Sequence, residues 1–299
     1  MTPVSYTTCS IRNRVPKDRP GMDKHPFDDS FDPAAVAARL VLARRTAEAL
    51  PVYPGPLPRS LDEGYRAQDR AIAQWGSEVA GWKVGRIPES WEQRLGEDRL
   101  VGPIFAEAVQ HVADGQAGRF AVIERGFAAV EAEFVFELGH DAPPGQLDFS
   151  HAQAAALVSA LSIGIELAGS PMPMINALGP PVVVSDFGNN AGLIVGPRIA
   201  AWQSLADHEL TCETFIDERS VGRGGAASIP GGLLAALAFA LTRCARRGHP
   251  LKAGMYVTTG AATGIHDILA GQRSRISFGR WGSLHCETVP ARGIAGAIA

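Results

Sequence analysis

Glu131-Ala132-Glu133, followed by Phe134-Val135-Phe136, sets two carboxylates on one face of a predicted strand, and Glu166 lies in a second apolar run, Ser162-Ile163-Gly164-Ile165-Glu166-Leu167. From Ala128 to Leu138 every even position is apolar, whereas Glu131, Glu133 and Glu137 occupy odd ones. This is the alternation of a half-buried strand. Residues two apart on a strand sit about 7 Å from each other, where two ionised carboxylates repel by about 2 kcal/mol at an effective dielectric of about 20. On spacing alone, the plain reading is a wet, screened acidic face. Glu166 weighs against it, because an anion among Ile163, Ile165 and Leu167 is costly to bury without a partner. A cation shared by Glu131, Glu133 and Glu166 resolves both difficulties. All-oxygen ligation points to Mg²⁺ or Mn²⁺, with water or substrate completing the shell. Such an ion acts as a Lewis acid on a carbonyl group.

Lys83, in Gly81-Trp82-Lys83-Val84-Gly85, either snorkels its ammonium to solvent or binds a substrate carboxylate and takes part in proton transfer. Gly222-Arg223-Gly224-Gly225-Ala226-Ala227 matches a dinucleotide fingerprint formally. Pro230-Gly231-Gly232 interrupts the helix that must follow, and no Asp or Glu occurs between Glu218 and Asp267 to hold a ribose, so nucleotide binding is set aside. Arg223 remains available to a small anionic substrate. No Gly-x-Ser-x-Gly elbow, phosphate loop or His-Glu-x-x-His motif is present. His140, beside Asp141, reads as a surface-turn residue.

The elements that must position these groups fall into two textures. A helix is predicted from Asp32-Pro33, where Asp caps and Pro suits the first turn, to about Leu50. After the proline-rich link Pro51 to Pro58, Ser60 and Glu63 form a capping-box pattern ahead of a second helix reaching about Val79. From Gly81 short apolar runs dominate: Trp82–Val84, Phe120–Ile123, Ala129–Leu138, Ser162–Leu167, Val182–Val184, Leu193–Val195, Met255–Thr258, Arg275–Phe278 and Leu284–Val289, the last two a hairpin. Helices are predicted at Phe149–Leu161 and Gly232–Arg247. Strands and helices do not alternate regularly, which argues for α+β rather than a doubly wound sheet. Residues 1–30 read as a disordered extension in which Met22 is an alternative start, 31–80 as a helical region and 81–299 as a catalytic domain.

The 299 residues are 46% hydrophobic and carry 28 basic against 31 acidic side chains, for a net charge of −3. The chain can bury a large core, and no basic cluster with interleaved aromatics marks a nucleic-acid surface. Cys9, Cys212, Cys244 and Cys286 are too widely spaced for a Cys-x-x-Cys motif. They are expected as free thiols in a cytoplasmic protein. No apolar run reaches the roughly 18 residues of a membrane span.

Gly81–Gly85, Gly102-Pro103-Ile104-Phe105, Val130–Phe134, Ile165-Glu166-Leu167 with Gly169-Ser170, Ser185-Asp186 with Asn189-Asn190, Gly222-Arg223-Gly224 and Thr259-Gly260-Ala261 follow in an order that resembles the 2-keto-4-pentenoate hydratase group of the fumarylacetoacetate hydrolase superfamily. The resemblance runs from about residue 60 to 289. It implies a mixed β-roll with N-terminal helices and a Mg²⁺ or Mn²⁺ held by Glu131, Glu133 and Glu166. It further implies an active-site Lys83 and substrate contacts from Arg223, Asp186 and Ser170. The implied reaction is hydration of 2-hydroxypenta-2,4-dienoate or a substituted relative in aromatic catabolism. Two positions depart from the pattern: Leu100 replaces an acid of the hydratases, and Pro171 replaces an Arg after Gly169-Ser170. Leu100 makes an oxalocrotonate-type decarboxylase the first alternative. An acylpyruvate hydrolase and a non-catalytic binding subunit follow. A small 2-oxo or 2-enol acid substrate, self-association and a partner lyase of the same pathway complete the expectations.

Overall fold

Asp32 accepts hydrogen bonds from the amides of Ala34 and Ala35 at 2.9 and 3.1 Å, and Pro33 needs no partner for a missing N–H. The helix they start, α1 (Pro33–Thr46), stops at Ala47 in the left-handed region. The structure is a computed structural model describing residues 30–293. The expectations for residues 1–29, including the extension and the alternative start at Met22, lie outside the described residues, as does Cys9.

Ser60 accepts from the Glu63 amide at 3.2 Å, but the Glu63 carboxylate reaches back to the Arg59 amide, so only half of the expected box forms. Helix α2 (Leu61–Trp75) ends at Gly76, in the left-handed region, and the chain enters β1 (Val79–Arg86). After α3 (Glu89–Leu95) come β2 (Arg99–Phe105), β3 (Val109–His111), β4 (Ala117–Val122) and β5 (Phe127–Leu138). Then follow α4 (His151–Ala156), β6 (Val158–Ser170), α5 (Pro180–Ser185), β7 (Asn190–Arg198), β8 (Thr211–Ile216), β9 (Arg219–Gly225), α6 (Leu233–Arg246), β10 (Tyr256–Thr258), β11 (His266–Asp267), β12 (Arg273–Ser277) and β13 (Ser283–Pro290).

Two expectations are corrected. The helix predicted over Phe149–Leu161 covers only His151–Ala156, after which the chain is already strand. The predicted strand Val182–Val184 is part of the helix α5. Pro180 and Pro181 start it, and its residues from Pro180 to Ser185 are all buried, so packing overrides the β preference of three valines.

The larger sheet runs β2-β1-β10-β5-β6-β7-β3, with β11 also paired to β5; the smaller runs β4-β13-β12-β8-β9. Both are mixed: β1 is parallel to β10, β3 to β7 and β13 to β4, and the other pairings are antiparallel. Phe134, on the even face of β5, meets Phe278, in the turn that links β12 to β13, edge-on with ring centroids 5.8 Å apart, a favourable aromatic geometry. The odd face of β5, which carries Glu131 and Glu133, is the one opposite the Phe134 ring. The strand is buried on both faces, not half-buried as its alternation predicts. The N-terminal helices belong to the same compact unit as the sheets, from Phe31 onward. Gln68 of α2 donates to the carbonyls of Val101 and Val184, tying β2 and α5 together.

Candidate metal centre

Glu131 and Glu166 are direct cross-strand partners on β5 and β6. Glu131 is 3% exposed, Glu133 and Glu166 0%, and oxygens from the three lie within 4.8 Å of one another. Like charges directly opposite on a sheet repel, and burial strengthens that repulsion. The solvated acidic face is thereby excluded. The environment explains which oxygens are satisfied. Glu133 Oε2 accepts from the amides of Thr259 and Gly260 at 2.9 and 2.8 Å. Glu166 Oε2 accepts from the Thr258 hydroxyl at 3.1 Å, and its Oε1 from Lys83 at 2.9 Å and the Asn190 amide group at 3.4 Å. Glu131 Oε1 and Glu133 Oε1 are buried without any hydrogen-bond partner.

Lys83 does not snorkel. It is 3% exposed, and besides Glu166 its ammonium donates to Asn189 Oδ1 at 3.1 Å. Burial alone lowers its pKa, but Glu166 and then Glu131 outweigh burial and hold the ammonium protonated, above its ordinary value. Burial pushes the Glu131 carboxyl up to about 7, with Lys83 opposing and Glu166 adding to the rise. Glu133 is raised well above its ordinary range by burial and by the charges of Glu166 and Glu131. One ammonium thus faces three carboxylates, two of which resist ionisation.

This arrangement fits a hard divalent cation. The donors are all carboxylate oxygens, two have no partner among the described residues, and one ammonium faces three acids. Among the described residues this is the group of His, Cys, Asp and Glu side chains able to share an ion.

A cavity of about 710 Å³ opens onto the centre. Lys83, Glu131, Asn189 and Thr259 line it, Leu100, Val183, Ile229 and Pro230 supply apolar wall, and Arg86, Glu92, Asp98 and Asp267 bring further charge to its lining. Arg99 also lines it and is ion-paired to Asp98. Leu100, at the position where the sequence departs from the hydratase pattern, therefore contributes to the cavity and is 4% exposed.

The other three sequence-derived site residues lie elsewhere. Arg223, on β9, is largely exposed and paired with Glu213 at 2.8 Å, and it is not among the cavity-lining residues. Asp186 and Ser170 are buried and bonded to each other at 2.6 Å, with Arg44 on Asp186 Oδ1 at 2.6 Å; neither lines the cavity. Sequence reasoning missed the Thr258 hydroxyl, the Thr259 and Gly260 amides, and Arg44. Backbone donors leave no mark in residue type, although Thr259-Gly260 stood among the motifs of the resemblance. Cys212, Cys244 and Cys286 are buried free thiols, each pushed up to about 12 mainly by burial. No described helix is long and apolar enough to cross a membrane.

The sequence matches no protein-family model and no curated protein. Solved structures do match. 4-Oxalocrotonate decarboxylase from Pseudomonas putida G7, complexed with magnesium and adipate, superimposes with a TM-score of 0.72 at 18% identity, covering 86% of this chain and 97% of that one. The same enzyme complexed with calcium and acetate gives 0.69 at the same identity and coverage. Fumarylpyruvate hydrolase from Pseudomonas aeruginosa, in complex with Mn²⁺ and pyruvate, gives 0.50 at 20% identity over 70% of this chain and 88% of that one. These likenesses establish the fold: an α+β arrangement of curled mixed sheets of the fumarylacetoacetate hydrolase type.

Proposed function

We propose that the chain is a divalent-cation-dependent lyase that decarboxylates a small, unsaturated 2-oxo dicarboxylic acid. The observation that carries the cation and the 2-oxo acid is the buried trio Glu131, Glu133 and Glu166 beside Lys83 at the base of the cavity. Bound there, Mg²⁺ or Mn²⁺ supplies a Lewis acid for the carboxylate and 2-oxygen of such an acid. Neighbours with this fold support the reading, since one was solved with magnesium and the dicarboxylate adipate, another with Mn²⁺ and pyruvate.

Loss of CO₂ is favoured over addition of water by the apolar side chains, Leu100 among them, that line the cavity together with Lys83. Leu100 offers no proton acceptor, and among the described residues no histidine lines the cavity. When the bond between the terminal carboxyl and its methylene breaks, its electron pair passes along the conjugated chain to the 2-oxygen and a charged carboxylate becomes neutral CO₂. An apolar wall disfavours the carboxylate and tolerates the product. Lys83 enters this chemistry as an ammonium, so its part is to stabilise developing negative charge and donate a proton, not to remove one. Asn189 helps to hold the ammonium in place, accepting from it at 3.1 Å while Glu166 pairs with it at 2.9 Å.

Hydration of a 2-hydroxy-2,4-dienoate is the second reading. Asp98, which lines the same cavity beside Leu100, is a carboxylate able to order an attacking water. The two separate in one experiment. Purified protein with Mg²⁺ is given 2-oxohex-3-enedioate or 2-hydroxypenta-2,4-dienoate, each beside an EDTA control, and products are identified by NMR. EDTA-sensitive CO₂ release from the first acid is the expected result; 4-hydroxy-2-oxopentanoate from the second supports hydration. Consumption of neither acid overturns both.

A further inference from the structure

Arg44 is one of two arginines in the last turn of α1, yet its side chain is only 9% exposed. Its Nε pairs with Asp186 Oδ1 at 2.6 Å. The other two nitrogens donate to three carbonyls: Nη1 to Asn190 at 3.1 Å, Nη2 to Gly169 at 2.8 Å and to Asp186 at 3.2 Å. The second oxygen of Asp186 accepts from the Ser170 hydroxyl at 2.6 Å. The cation also lies 5.2 Å from the centroid of the Phe187 ring. So many contacts from one side chain converge on the segment 186–190.

That segment is strained. Phe187, Gly188 and Asn189 have φ values of 56°, 64° and 56°, a left-handed run that a phenylalanine adopts only when its surroundings enforce it. What the turn presents is functional: Asn189 Oδ1 receives the Lys83 ammonium, and the Asn190 side chain donates to Glu166. The turn also sits tightly on β2, where a Cβ on Gly102 would lie 2.0 Å from the Phe187 carbonyl oxygen.

We infer that Arg44 and Asp186 are positioning residues: their ion pair holds the left-handed turn 187–189 against β2, and so fixes Asn189 on Lys83 and Asn190 on Glu166. The inference rests on the assignment of Glu131, Glu133 and Glu166 as the cation site. It also accounts for Asp186 and Ser170, which lie outside the cavity. A positioning guanidinium reaches them from helix α1 rather than from the position after Ser170, where Pro171 stands. Changing such supporting residues typically costs 10–100-fold in metal affinity or activity.

The full-length protein is compared as wild type, Arg44→Met, Asp186→Asn and Leu40→Ala, the last a buried residue one turn before Arg44 on α1 that makes none of the clamp's hydrogen bonds and so reports loss of helix packing alone. Two quantities are read: the dissociation constant for Mn²⁺, and hydrogen exchange of the Asn189 amide, which donates to the Asp186 carbonyl at 2.8 Å. In Arg44→Met and Asp186→Asn, Mn²⁺ affinity should fall at least tenfold and the Asn189 amide should exchange faster than in Leu40→Ala. Leu40→Ala should lower the melting temperature while keeping Mn²⁺ affinity within twofold of wild type. If Arg44→Met does not fold, Arg44→Lys is read the same way, because an ammonium cannot reproduce the fork. Clamp variants matching Leu40→Ala in both readouts overturn the inference. A wild type that binds no Mn²⁺, with Asn189 nonetheless loosened in Arg44→Met, keeps the clamp and overturns the cation site.

Discussion

Glu133 gives its two oxygens different tasks. Oε2 is held by the Thr259 and Gly260 amides, and Oε1 has no partner. Glutamine at this position keeps an oxygen for those amides but turns an NH₂ group toward the cation. Glu133→Gln should therefore weaken Mn²⁺ binding by more than tenfold and abolish turnover, while its metal-free form loses less stability than metal-free wild type as pH rises from about 5 to about 8, having lost one of the raised carboxyls. Calorimetry with and without EDTA checks both. The raised carboxyls also fix the pH dependence. Glu131, at about 7 in the metal-free protein, and Glu133, also raised, bind protons in the folded state that the unfolded chain releases at about 4.3. Metal-free stability should fall as pH rises from about 4.5 through 7, the reverse of a salt-bridged carboxylate. Mn²⁺ must displace those protons, so its affinity should rise over the same interval. A metal-free melting temperature that climbs between pH 5 and pH 8 would contradict this.

At the scale of elements, β5 was legible because its apolar alternation is long, and α6 because its helical stretch runs into Arg246-Arg247-Gly248. Strands β2, β8 and β9 were not; β2 contains Pro103 and β9 contains three glycines and a serine within seven residues, which weakens any local strand signal. The acids and Lys83 were visible as charges placed in apolar strands. Arg44 was not, since an arginine in a last helical turn has an ordinary role beside the helix dipole, and only tertiary structure shows it turned inward. The contact of β2 with the 187–189 turn yields its own test. Gly102→Ala puts a methyl where the Phe187 carbonyl stands, and overpacking of this kind costs about 1–3 kcal/mol. In a chain of this size that is a loss of about 2–12 °C in melting temperature. Mn²⁺ affinity should drop with it, because the turn carries Asn189 and Asn190. Unchanged affinity and melting would show that the turn yields freely.

For the whole molecule, an ion bound by the folded state alone stabilises it by mass action. Mg²⁺ at a hundred times its dissociation constant adds about 2.7 kcal/mol, a rise of about 5–10 °C in melting temperature that EDTA should cancel and Glu133→Gln should lack. A scan showing no Mg²⁺ dependence in the wild type would remove the cation from the account. The order of strands in the larger sheet has a bearing on how the protein is made. Strand β10 lies between β1 and β5, so the strand bearing Lys83 has no seat beside the acids until β10 is available, and Thr258 follows Glu166 by 92 residues. At roughly 5–20 residues per second of synthesis, the three glutamates leave the ribosome about 5–20 s before the residues that organise them. The nascent chain thus passes through an interval in which its acids are exposed, unseated and blind to the identity of any ion they meet, and selection among cations belongs to the finished fold.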